Sequence, residues 1–91
     1  MKQVRAELRI SGRVQGVWFR QSTRQVAEKF GVNGWVRNCA DGSVEAVLEG
    51  EQDSVQSVVD WCRNGPELAR VDDLQLSWKD AEGLFSRFEV H

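Results

Sequence analysis

Histidine is nearly absent: His91 stands alone in a chain of 91 residues. Tyrosine is missing altogether, and proline and methionine occur once each. The two cysteines, Cys39 and Cys62, lie far apart, and neither belongs to a C-x-x-C pair. Such a chain does not present the His and Cys spacing of a zinc site, so the expectation is that it binds no metal. A lone histidine also removes the activating base that a covalent Ser or Cys nucleophile usually needs. Sequence gives no distance between the thiols, so two buried free thiols and a disulfide both stay open. No apolar run is long enough to cross a bilayer. The opening MKQVRAELRI has no signal-peptide core, which gives a cytoplasmic protein without membrane contact as the expectation. A net charge of −2 argues against a nucleic-acid partner.

What is present organises itself into alternating short patterns. The length points to one domain, residues 1–91. Val4, Ala6, Leu8 and Ile10 alternate with Arg5, Glu7 and Arg9, the pattern of a half-buried strand. Phe19, Thr23, Val26, Ala27 and Phe30 recur at helical spacing, with Lys29 and Gly31 as a stop, so a helix is predicted over 19–30. A strand over 32–39, an Asp41-Gly42 hairpin turn and a strand over 43–49 follow, with Gly50 as the expected break. Glu51 and Asp53 place negative charge in the first turn of a second helix, whose apolar stripe is Val55, Val58, Val59 and Cys62. Asn64-Gly65-Pro66 ends it. Strands over 71–78 and 86–90 complete the chain, with a turn at Asp80-Ala81-Glu82-Gly83 between them. The order β-α-β-β-α-β plus a short β predicts a ferredoxin-like α+β fold. Its antiparallel sheet carries two helices on one face.

The stretch from residue 11 to residue 20 joins the first strand to the first helix. Gly12 and Gly16 let it fold tightly and turn backbone N–H groups inward. The helix N-terminus adds unpaired N–H groups and a positive dipole end, and Arg20 adds a planar fork of donors. These features suit a small anion such as a phosphoryl group; a plain strand-to-helix loop with a solvated arginine is the bland alternative. In the split topology the first and second strands run the same way, so their C-terminal ends share one sheet edge. Asn38 therefore lies near the glycine loop, two strand spacings away, about 10 Å. Asn38 also fits a simple turn cap before the hairpin. Gln15 either contacts the anion or braces the loop, the brace being expected, and Trp18 either stands as an exposed apolar lip or packs on the helix, packing being expected. Trp35, Trp61 and Trp78 are expected in core or edge packing. An RNA-reading sheet would display aromatics on its open face, and the first and third strands have none there.

Taken whole, Gly12-Arg13-Val14-Gln15-Gly16-Val17-Trp18-Phe19-Arg20 and Gly34-Trp35-Val36-Arg37-Asn38-Cys39-Ala40-Asp41-Gly42-Ser43-Val44-Glu45, closing at Gly50, resemble the two signatures of the acylphosphatase family. Gly65-Pro66-Glu67-Leu68-Ala69-Arg70-Val71 is similar to the loop before that family's fourth strand. The resemblance implies hydrolysis of acyl phosphates to carboxylate and inorganic phosphate, without metal or cofactor. It implies Arg20 as phosphate binder, Asn38 as the residue that orients the attacking water, and the backbone N–H groups of Arg13, Val14, Gln15, Gly16, Val17, Trp18 and Phe19 as the phosphoryl cradle. The implied partners are a small-molecule acyl phosphate, with inorganic phosphate as product and inhibitor, acting on a monomer. The chemistry is self-consistent. A carboxylate whose conjugate acid has a pKa of about 4 leaves without a general acid. Positioning and charge stabilisation then suffice. A non-catalytic anion-binding or regulatory module of the same fold is the alternative.

Overall fold

Alternation buries Val4, Ala6, Leu8 and Ile10 on one face of the first strand, β1 (Gln3–Arg13). The computed structural model describes residues 2–91. After β1 come α1 (Phe19–Phe30), β2 (Asn33–Asn38), β3 (Val44–Glu51), α2 (Gln52–Cys62), β4 (Arg70–Asp80) and β5 (Phe88–Val90). The strands form one five-stranded sheet in the order β4-β1-β3-β2-β5. β1 pairs antiparallel with β3 and β4, and β2 antiparallel with β3. This is the ferredoxin-like α+β arrangement, with β1 and β2 flanking β3. The sheet is mixed rather than wholly antiparallel, because β5 lies parallel to β2.

The helices cover the face that carries Ala6, Leu8, Val36, Ala46 and Leu48, all buried. Val55, Val58, Val59 and Cys62 are buried as the stripe of α2. The helices meet through Phe19 and Trp61, ring centroids 5.6 Å apart and tilted. Glu51 is the N-cap of α2, its carboxylate accepting the Ser54 N–H at 3.3 Å, and does not lie within the first turn.

Three further expectations need correction. Gly50 does not break β3: it pairs with Val4, and the strand runs on to Glu51. Its place in the ladder outweighs glycine's weak strand preference. Phe30 is 39% exposed rather than core. The left-handed C-cap at Gly31 turns the chain so that Val32, whose N–H bonds the Ala27 carbonyl at 2.8 Å, takes the buried place beneath the last turn. Trp78 sits half-exposed on edge strand β4, within the core or edge packing expected of it. Lastly, the loop is shorter than 11–20, because β1 continues through Gly12 and Arg13, paired with Val71 and Arg70 after a register shift at Ser11/Gly12.

That bulge aims the chain leaving β1 and demands glycine. Gly12 has φ 127, and a Cβ there would collide with the Arg70 carbonyl oxygen and come within 2.8 Å of the Asp72 nitrogen. Both obstacles are backbone and do not move aside. Gly12→Ala is expected to lower the unfolding free energy by about 2–3 kcal/mol, read from urea denaturation.

Candidate active site

Past the bulge, residues 14–18 leave the sheet and return to α1. Val14 and Val17 are buried and pin the loop from below. Gln15 pins it sideways. Its carboxamide nitrogen donates to the Cys39 carbonyl at 2.8 Å and to the Ser43 carbonyl at 2.9 Å. Those two residues close the β2–β3 hairpin, where the Cys39 N–H also bonds the Ser43 carbonyl at 2.8 Å. Gln15 is thus the brace that the sequence suggests, and it ties the glycine loop to the turn after Asn38. Gly16 (φ 75) and Trp18 (φ 67) take left-handed backbone, which lets the loop close on itself.

Arg20, Asn38, Gly16, Trp18 and Phe19 line one cavity of about 300 Å³. Val14, Gln21 and Val90 complete its walls. Arg13, Gln15 and Val17 do not reach it: Arg13 stays in β1, while Gln15 and Val17 hold the loop from outside. Among the described residues no acceptor pairs with the main-chain N–H groups of Gly16, Val17, Trp18 and Phe19. These donors and the start of α1 give this end of the cavity a positive field.

Arg20 donates from Nη1 to the main-chain oxygen of His91 at 2.7 Å. No Asp or Glu side chain pairs with it among the described residues. The His91 position is itself fixed. Its N–H bonds the Val36 carbonyl at 2.9 Å, and its ring stacks on Trp35 with centroids 5.7 Å apart. This anchor for Arg20 was invisible in the sequence, because a main-chain oxygen leaves no residue signature.

Asn38 ends β2 on the same face as Val36, and its side chain has no hydrogen-bond partner among the described residues. It does not cap the hairpin. Asp41 does that, accepting from the Ser43 N–H at 2.9 Å and the Ser43 hydroxyl at 2.6 Å. These bonds, the hydroxyl's foremost, hold the Asp41 carboxyl below the usual range. Trp18 does not pack on the helix as expected. Its neighbours Val17 and Phe19 both point into the core, which leaves Trp18 outward and 73% exposed.

The hydroxyls and thiols stand away from the cavity. Its walls carry no hydroxyl, thiol, imidazole or carboxylate side chain. Thr23 is buried and donates to the Phe19 carbonyl at 2.7 Å. Both cysteines are free, and burial pushes the Cys62 thiol up to about 12. Among the described residues no three His, Cys, Asp or Glu side chains cluster as a metal site would require.

The open sheet face holds a second concavity, about 380 Å³, and it is the poorer anion site despite its size. Its arginines are already paired: Arg5 with Glu7 at 3.0 Å and with Glu49 at 3.2 Å, Arg9 with Asp41 and Glu45 at 3.2 Å each. One aromatic does lie on this face, Trp35 of β2, but His91 covers one side of it and the Arg37 guanidinium stands 5.4 Å from its centroid. Among the described residues no helix is long and apolar enough to cross a membrane.

Comparison with known proteins gives a consistent result. The acylphosphatase family profile matches residues 6–90. An acylphosphatase of Thermococcus kodakarensis is 55% identical over 84 residues, covering 92% of this chain and 92% of that protein. The solved acylphosphatase of Coxiella burnetii superposes with a TM-score of 0.93 at 37% identity, covering 99% of this chain and 94% of that one. That of Bacillus subtilis also gives a TM-score of 0.93, at 33% identity, with 97% and 98% covered.

Two outcomes follow from the loop's fastening. Gln15→Ala strands two partly buried carbonyls from one of their donors and is expected to cost about 1–3 kcal/mol in urea unfolding. Asp41 has a lowered folded-state pKa, so its contribution is present above the unfolded value of about 4 and lost as the pH falls through the folded one. Asp41→Asn should flatten the acid limb of a stability–pH curve.

Proposed function

The chain belongs to the acylphosphatase family, and on that premise we propose that Arg20, Asn38 and the glycine loop carry its reaction. The protein is an acylphosphatase: it cuts the carboxyl–phosphate bond of acyl phosphates, giving a carboxylate and inorganic phosphate. In the proposed mechanism the phosphoryl oxygens lie against the main-chain N–H groups of the loop, with Arg20 forking two of them. The His91 main-chain oxygen keeps the guanidinium oriented, and no Asp or Glu side chain among the described residues pairs with it to compete with the phosphate. Asn38 accepts and donates hydrogen bonds without charge, which suits it to hold a water near the phosphorus. That water attacks in line, and the carboxylate leaves as a stable anion. Charge building on the transferring group meets preorganised donors.

One observation carries this reading. An arginine with no Asp or Glu partner, a free carboxamide and the unpaired main-chain N–H groups of Gly16, Trp18 and Phe19 border a cavity with no nucleophilic side chain among the described residues. A direct attack by water fits such walls better than a covalent intermediate does. To the same proposal belong a monomer acting in the cytoplasm, free of cofactor and nucleic acid, with inorganic phosphate as product inhibitor.

The test compares acetyl phosphate with a phosphate monoester, with and without chelator. Fast turnover of the acyl phosphate is expected in both conditions, and negligible turnover of the monoester. Arg20→Lys keeps the charge and loses the fork, so its kcat/KM should fall by about 10²-fold or more with the fold retained. Phosphate at a hundred times its Kd should stabilise the wild type by about 2.7 kcal/mol and the variant by less. Stabilisation by phosphate without any turnover would favour the non-catalytic anion-binding module.

A further inference from the structure

Neither the fold nor phosphate binding accounts for the side chain of Trp18. It is the one non-glycine residue with positive φ among the described residues, at φ 67. A bulky side chain is disfavoured in that region, and glycine or asparagine would fit the same backbone with less strain. The residue is the N-cap of α1 but makes no side-chain cap hydrogen bond. Its ring is not held in the core, being 73% exposed. It does, however, line the same cavity as Arg20 and Asn38.

That cavity is larger than phosphoryl transfer alone requires. Its volume of about 300 Å³ has room for roughly ten waters, whereas a phosphoryl group and one attacking water fill only part of it. Of the remaining walls Val14, Phe19 and Val90 are apolar, and Gln21 is polar but uncharged. No acidic side chain is there to recognise an ammonium on the substrate. No cation besides Arg20 lines it to recognise a second carboxylate.

We propose that Trp18 is a specificity-determining residue: its indole is an apolar shelf for the acyl group of the substrate. The chain then prefers acyl phosphates with aromatic or extended apolar acyl groups over acetyl phosphate and over charged acyl groups. This rests on the acyl-phosphate reading above and adds the class of acyl group. Binding such a substrate buries indole surface that is exposed in the free protein, and ring-on-ring contact adds to the gain.

Initial rates on benzoyl phosphate and acetyl phosphate test it, in wild type, Trp18→Gly, Trp18→Phe and Trp18→Asn. The ratio of kcat/KM for benzoyl over acetyl phosphate should fall by about 3–10-fold in Trp18→Gly, mainly through KM for benzoyl phosphate. Trp18→Phe, which keeps an aromatic face on the same backbone, should retain most of the preference. Phenylphosphonate and methylphosphonate provide a readout without chemistry, and their inhibition constants should diverge less in Trp18→Gly by a similar factor. An unchanged ratio in Trp18→Gly would overturn the shelf, as would a wild-type ratio in Trp18→Asn, which takes the same left-handed backbone without an aromatic face and would assign the effect of Trp18→Gly to the backbone. Wild type that hydrolyses neither substrate would instead strike the acyl-phosphate reading itself, and the shelf would fall with it.

Discussion

The two hydrogen bonds of Gln15 tie together parts of the chain that nothing local connects. The glycine loop belongs to the end of β1, and Asn38 belongs to the end of β2, with the whole of α1 between them in sequence. The β-α-β-β order brings both ends to one side of the sheet, but topology alone leaves angstroms of freedom. Gln15 removes that freedom by fastening its own loop to the carbonyls of Cys39 and Ser43, on the far side of Asn38. The bulge at Gly12 sets the direction from which the loop arrives, and buried Val14 and Val17 set its depth. A phosphoryl site needs this rigidity, since its donors act only when fixed before the charge develops.

Electrostatics divides the two faces of the sheet. On the open face the arginines of β1 meet glutamates of β1 and β3 and a turn aspartate, so the cations there are satisfied at home. At the cavity Arg20 is steadied by a main-chain oxygen, which fixes its direction, and no Asp or Glu side chain pairs with it among the described residues. His91 holds that oxygen in place through β5 pairing and the stack on Trp35. An aromatic on the open face thus serves the site on the other face, through the last residues of the chain.

Much of this was legible in the residues. The helix over 19–30 follows from the spacing of Phe19, Thr23 and Ala27 and from Gly31, and the element order gives the topology. What escaped had physical reasons. Glycine signals a break only when its backbone lacks partners, and Gly50 is paired with Val4. Helical periodicity assigned Phe30 inward, whereas the C-cap lets Val32 replace it. Packing against the helix is the expectation for Trp18, whereas the left-handed backbone just before α1 leaves it exposed. At the site, residue types announced Arg20, Asn38 and Gln15. The spacing did not reveal which loop positions border the cavity and which hold it from outside.

Asn38 and the glycine loop border one cavity, and in the proposed mechanism they divide the work, the loop holding phosphate and Asn38 the water. Steady-state kinetics of Asn38→Ala on acetyl phosphate, with inorganic phosphate as inhibitor and urea unfolding on the same preparation, separates the two. The account predicts a fall in kcat of about 10²–10³, with phosphate affinity and stability close to wild type. Near-wild-type kcat in a folded protein would contradict it, and would leave the attacking water without a holder.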